Sequence, residues 1–165
     1  MKLLTHGATS DVFDLGDSIA KRFSCPISFI KELYVYQHFQ GITPKLLHVD
    51  YANYELIIEK LHTWREKELT PDAKQKIFKS VIQKLYYLWT NQYIHGDFHM
   101  DNVVFNDEYE AFLIDFEWLR HRLHNKFIDD VDMTPHGLVN GFDGCDRSIK
   151  NVLGVTKEQV MELLK

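Results

Sequence analysis

Along the chain, the spacing of apolar and polar positions switches between strand-like and helix-like periods. From Thr5 to Phe23 (THGATSDVFDLGDSIAKRF), short apolar runs on either side of Gly16-Asp17 read as strand, turn, strand. Ser24-Cys25-Pro26 opens a helix, since proline is tolerated in a first turn. It is expected to run to about Gln40 with Gly41 just past its end, carrying Phe29, Leu33 and Tyr36 on one stripe flanked by Ile30. An extended lead-in from Gly41 gives two strands, Leu46 to Asp50 and Glu55 to Glu59, turning at Ala52-Asn53. Thr70 as cap and Pro71 as first helical residue begin a second helix. Ile77, Phe78, Val81, Ile82, Leu85, Leu88 and Trp89 give it a wide apolar face, as a central buried helix requires. Val103 to Phe105 and Ala111 to Ile114 are short apolar strands, with Asn106, Asp107 and Glu108 as turn residues between them. Beyond Trp118 the pattern weakens into a basic run from Arg120 to Lys126, an acidic group at Asp129, Asp130 and Asp132, and a loop-like stretch from Met133 to Asp146. Thr156 to Gln159 has the form of a capping box opening a last short helix.

Composition narrows the class without naming a function. At 165 residues the chain fits one domain, or two small lobes sharing a cleft, and can bury a core without staples. The 45% hydrophobic and 26% charged content is that of an ordinary soluble protein, and a net charge of -5 gives no basic footprint, so nucleic acid is not indicated. Cys25 and Cys145 are too few for a disulfide framework or a four-ligand zinc site, and no apolar run is long enough for a signal peptide or membrane span. These features point to a cytoplasmic protein with no membrane association.

The chemistry concentrates between Tyr93 and Trp118. A hairpin brings its two ends together, so Asn102 before its first strand and Asp115 after its second are expected side by side, with Asp97 on the loop leading in. Oxygen-bearing side chains gathered in this way suit a hard divalent cation such as Mg²⁺. Taken singly, an Asp after Gly is a turn former and an Asn before a strand is a cap. Another reading of the same stretch takes His95, Asp97 and His99 as ligands for Zn²⁺ or Fe²⁺, which would leave Lys21, Asn102 and Asp115 without a role.

His95-Gly96-Asp97 followed by Asn102, and then Asp115-Phe116-Glu117, resemble the catalytic loop H-x-D-x-x-x-x-N and the D-F-G metal motif of the protein-kinase-like superfamily in order, type and spacing. The resemblance implies an α+β, two-lobed minimal kinase-like fold: a small antiparallel N-lobe sheet plus one helix in 1–61 and a mostly helical C-lobe in 62–165, together one domain. It also implies roles. Gly7 and Ser10, in a loop similar to that of RIO-type atypical kinases, would cover the phosphates, although only one of the usual glycines is present and the loop should be stiffer. Lys21 would contact the α and β phosphates and pair with Glu32, while Glu59 to His62, with Glu59 and Leu61 as binding residues, would form the hinge that reads adenine. Asn102 and Asp115 would hold Mg²⁺, Asp97 would act as base toward a hydroxyl, and His95 would brace the loop.

The activity implied by the likeness is that of an ATP- and Mg²⁺-dependent kinase, expected to be an atypical serine/threonine protein kinase. The region x-x-P-x-x-L-x-V-D, Ile42 to Asp50, looks like small atypical kinases including that of the tRNA-threonylcarbamoyl complex. The pattern H-G-D-x-H-x-x-N instead resembles aminoglycoside, choline and lipopolysaccharide-sugar kinases, which implies a small-molecule acceptor, and Glu117 in place of glycine argues for a fixed metal site. A pseudokinase acting as a binding module is the reading from another class. The short C-terminal part leads us to expect a partner chain completing the acceptor site.

Overall fold

The computed structural model describes residues 1–121, 148–156, 158–159 and 162; the expectations for Arg122 to Lys126, Asp129 to Asp132, Met133 to Asp146 and Cys145 lie outside the described residues. The chain divides into two compact units, Met1–Leu61 and His62–Lys165. Both are of mixed α and β structure, and every strand pairing is antiparallel.

In the first unit five strands, β1 (Lys2–His6), β2 (Ser10–Asp14), β3 (Ser18–Phe23), β4 (Leu46–Asp50) and β5 (Glu55–Glu59), form a sheet in the order β1-β2-β3-β5-β4. Helix α1 (Pro26–His38) covers one face. Phe23, Phe29, Leu33, Tyr36, Leu56 and Ile58 make the core, with Ile19, Leu46 and Val49 packed against it. Since strand side chains alternate in direction, Ile19, Lys21 and Phe23 point to the helix side together. Phe29, Glu32, Leu33 and Tyr36 recur at helical spacing and are all buried.

Two expectations are corrected here. The opening segment has three strands rather than two, because the exposed Lys2–His6 pairs along the edge through its backbone, with an irregular register between Leu3 and Thr5. Helix α1 stops at His38, short of Gln40: Phe39 leaves helical geometry at φ -117° and ψ 55°, and Phe39 and Ile42 are both buried instead of continuing the exposed turn. Ile30 lies off the buried stripe and is exposed.

The second unit has strands β6 (His62–Thr63), β7 (Tyr93–Ile94), β8 (Val103–Phe105), β9 (Ala111–Leu113) and β10 (Arg120–His121). Among the described residues its helices include α2 (Pro71–Thr90), a 3-10 turn (Met100–Asn102) and α3 (Ile149–Leu153). Strands β6, β8 and β9 form one sheet in that order, and β7 pairs with β10. Arg120 and His121, which open the basic run, are held in a strand pair, opposite Ile94 and Tyr93. Thr70 Oγ1 caps α2 by accepting from Ala73 N at 3.2 Å. Ile77, Phe78, Val81, Ile82, Leu85 and Leu88 are buried as the apolar face requires, whereas Trp89 is only half-buried. At the far end, Thr156 and Gln159 exchange the two hydrogen bonds of a capping box, 2.7 and 3.3 Å. Among the described residues no helix is long and apolar enough to cross a membrane.

Strand β9 is an edge strand on the side facing away from β8, and α2 closes it with one hydroxyl. Ser80 Oγ accepts from Ala111 N at 3.0 Å and donates to Ala111 O at 3.3 Å, and Ala111 is fully buried. Ser80→Ala leaves both backbone groups of Ala111 without these bonds, and urea unfolding should show a loss of about 1–3 kcal/mol. Ser80→Thr, which keeps the hydroxyl, should recover most of it.

Candidate active site

Each unit presents part of the residue set singled out above. In the first, Lys21 lies on β3 between Val12 of β2 and Leu56 of β5, and its Nζ donates to Glu32 Oε2 at 2.8 Å. Both side chains are nearly closed to solvent, 11% and 1% exposed, so the carboxylate is desolvated and the ammonium is its counterion. Gly7 N donates to Ser10 O at 2.9 Å, and a side chain on Gly7 would press against that same carbonyl. Ser24 holds the turn from outside, donating from both N and Oγ to Thr9 O at 2.9 and 3.0 Å. Glu59 Oε1 accepts from Lys45 N at 2.6 Å, so this carboxylate is occupied by backbone, and Leu61 ends the unit half-buried.

In the second unit the sequence folds two loops onto one another. Ile114, directly after β9, gives its N–H to Asn102 O at 3.0 Å and accepts at its own carbonyl from His95 Nε2 at 2.9 Å. His95 is buried, its ring 4.8 Å from that of Phe116, and its Nδ1 has no partner among the described residues. Burial pushes its pKa down from 6.5 to about 4, against smaller opposing effects of the Ile114 carbonyl, Asp115 and Asp97. The ring is therefore neutral at pH 7, with the proton on Nε2, because a carbonyl can only accept. A bracing role suits it, and general base catalysis does not.

Gly96 has φ 84°, and any Cβ there would overlap the carbonyl of Trp118. The β7–β10 pairing creates this close approach, and sequence reasoning did not find it. Asp115 also has positive φ, 65°, a conformation that Asp tolerates better than most side chains.

Asn102 is buried, and its Nδ2 donates to Asp97 O at 2.8 Å and lies 3.3 Å from His99 Nε2. Its Oδ1 accepts no hydrogen bond among the described residues and is available to a cation. His99 Nε2 is also 3.6 Å from Asp97 Oδ2, so the imidazole stands between the base candidate and the metal candidate. The Asp97 carboxylate is 43% exposed, open to an incoming hydroxyl. Amide and carboxylate oxygens from Asn102 and Asp115 fit a hard cation such as Mg²⁺. Among the described residues no three His, Cys, Asp or Glu side chains converge as a metal-holding group, so the arrangement of His95, Asp97 and His99 lends nothing to a Zn²⁺ or Fe²⁺ site.

Residues 32–121, more than half of the chain, match APH, the Phosphotransferase enzyme family. The chain belongs to this family. It is thereby a member of the protein-kinase-like superfamily. No curated protein matches the chain. The part matched to the APH family contains Glu32, Glu59, Leu61, Asp97, Asn102 and Asp115, whereas Gly7, Ser10 and Lys21 precede it.

Sequence reasoning also missed a cluster beside Asn102. Asp101 Oδ1 accepts from Trp64 Nε1 at 2.9 Å and from Arg65 Nε at 3.0 Å, while Arg65 Nη2 donates to Oδ2 at 3.2 Å. The guanidinium lies 4.2 Å from the Trp64 ring centroid. Desolvation opposes ionisation of Asp101, but the Arg65 and Trp64 hydrogen bonds outweigh it and hold the carboxyl below its usual pKa. No spacing of Trp64 and Arg65 signals the contact.

Protonating His95 must break its fit in this APH-family site, which gives a pH signature. Its folded pKa lies below its unfolded one, so its contribution is complete above pH 6.5 and is lost as pH falls toward 4. Urea unfolding should show about 2 kcal/mol less stability from this group at pH 5 than at pH 7. His95→Gln, which keeps a donor for Ile114 O, should flatten that part of the profile.

Proposed function

We propose that this protein is an ATP- and Mg²⁺-dependent kinase that moves the γ-phosphoryl group to a hydroxyl of a small molecule. The observation that carries the reading is the state of Asn102: its amide nitrogen is committed to the Asp97 carbonyl, its oxygen is left for a cation, and its backbone is bonded to Ile114 beside Asp115. Membership of a phosphotransferase family supports the same reading. The two units are taken as the lobes of one kinase-like domain, 1–61 and 62–165, the second mostly helical, in a cytoplasmic enzyme.

Lys21, held by Glu32, binds the α and β phosphates. Gly7 and Ser10 cover the phosphates, and the Glu59 carbonyl and the Leu61 backbone face adenine, since the Glu59 N–H is held by Lys45 O at 2.9 Å. Asn102 and Asp115 supply the oxygens for Mg²⁺, which when bound neutralises charge on the phosphate oxygens. Asp97 takes the proton of the acceptor hydroxyl as its oxygen bonds to the γ-phosphorus; the bond to the β–γ bridging oxygen breaks and ADP leaves. His95 and His99 hold these groups in place.

A small-molecule acceptor is favoured by the H-G-D-x-H-x-x-N pattern in a chain of the APH family. A serine or threonine of a protein is the second reading, favoured by the stapled turn from Gly7 to Ser10 with its likeness to RIO-type kinases.

Incubation of the purified chain with γ-labelled ATP, Mg²⁺ and a cell extract separates them, with label expected in the low-mass fraction. Label on protein would select the second reading, and nucleotide binding without any transfer would leave a binding module. Asp97→Asn should lower turnover by roughly 10²–10⁴-fold with ATP affinity nearly unchanged. Asp115→Asn should instead raise the Mg²⁺ concentration needed for ATP binding.

A further inference from the structure

The strand that Asn102 leads into is held unevenly. In the sheet β6-β8-β9, β8 is central. On the β9 side its backbone partners run through Val103↔Leu113 and on to the bond between Ile114 N and Asn102 O. On the β6 side the ladder ends at Thr63↔Val104, so Val103 and Asn102 have no strand partner there. The next two residues after Thr63 are Trp64 and Arg65, and their side chains grip Asp101, the residue before Asn102. Three hydrogen bonds replace the missing ladder. The ion pair is half in solvent, with Arg65 54% and Asp101 29% exposed, and pairs of that kind contribute little to global stability. What a planar fork stacked on an indole does supply is a fixed direction.

We propose that Trp64 and Arg65 are positioning residues for the metal-binding asparagine: by clamping Asp101 they fix the 3-10 turn Met100–Asn102, and so set where Asn102 Oδ1 meets the cation. This rests on the kinase reading, which gives Asn102 its role. The clamp restrains the main chain on one side of Asn102 while Ile114 restrains it on the other. With the clamp removed, Asn102 keeps its bonds to Asp97 and Ile114 but pivots about them.

The test uses the full chain as wild type, Arg65→Ala, Arg65→Lys and Trp64→Phe. Two readouts are taken: amide hydrogen exchange in the metal-free protein, and ATP binding by calorimetry across a Mg²⁺ series. In Arg65→Ala, exchange at Asn102 and Val103 should quicken while that within α2 is unchanged. The Mg²⁺ midpoint for ATP binding should rise roughly ten-fold. Trp64→Phe should behave similarly, and Arg65→Lys should recover part of the loss. Unchanged exchange at Asn102 and Val103, or quickened exchange with an unmoved Mg²⁺ midpoint, overturns the inference while the kinase reading stands. A wild-type protein whose ATP binding ignores Mg²⁺ overturns that reading and this inference with it, and is recognised without any variant. Quickening spread equally into α2 marks a merely structural role and also overturns it.

Discussion

One residue, Ile114, ties the candidate catalytic loop to the candidate metal loop through its two backbone groups. Its N–H goes to the Asn102 carbonyl and its C=O accepts from His95 Nε2, so the two ends of the catalytic loop share one residue as their common anchor. His95 and Asn102 are buried, which makes both bonds costly to lose. The neutrality of His95 is a consequence of this arrangement: a charged ring would be stranded among Phe98, Phe116 and backbone. Asn102 inherits its orientation from the same anchor, because its carbonyl direction is set by Ile114 before its side chain reaches Asp97.

The first unit solves a parallel problem with a different device. A lysine on the core side of a sheet would ordinarily be expelled, but Glu32 comes from the helix stripe that also carries Phe29, Leu33 and Tyr36. The helix that builds the apolar core thus brings the carboxylate to Lys21. Packing and charge are set by one spacing, so a helix sliding by one residue would lose both.

How much of this could be read from the chain depends on where the controlling interaction lies. Strands β4 and β5 and the start of α2 were legible because turn and cap residues announce them locally, as with Asp50, Asn53 and Thr70. Strand β1 was not, since all five of its residues are exposed and leave no alternation to detect. Two-residue strands such as β6, β7 and β10 carry no period at all, yet they steer the loops around Asp97 and Asn102. The residues of the candidate site could be named from motif spacing. The contacts that hold them could not, because the grip of Trp64 and Arg65 on Asp101 spans 37 and 36 residues and leaves no local trace.

Gly96 offers a last consequence. Its lack of a side chain is dictated by the Trp118 carbonyl lying where a methyl group would go. The residue type at this position therefore acts as a ruler for the gap between two backbones. In any related chain, a larger residue there would report, from the letters alone, that the segment after the D-F-E motif has swung outward.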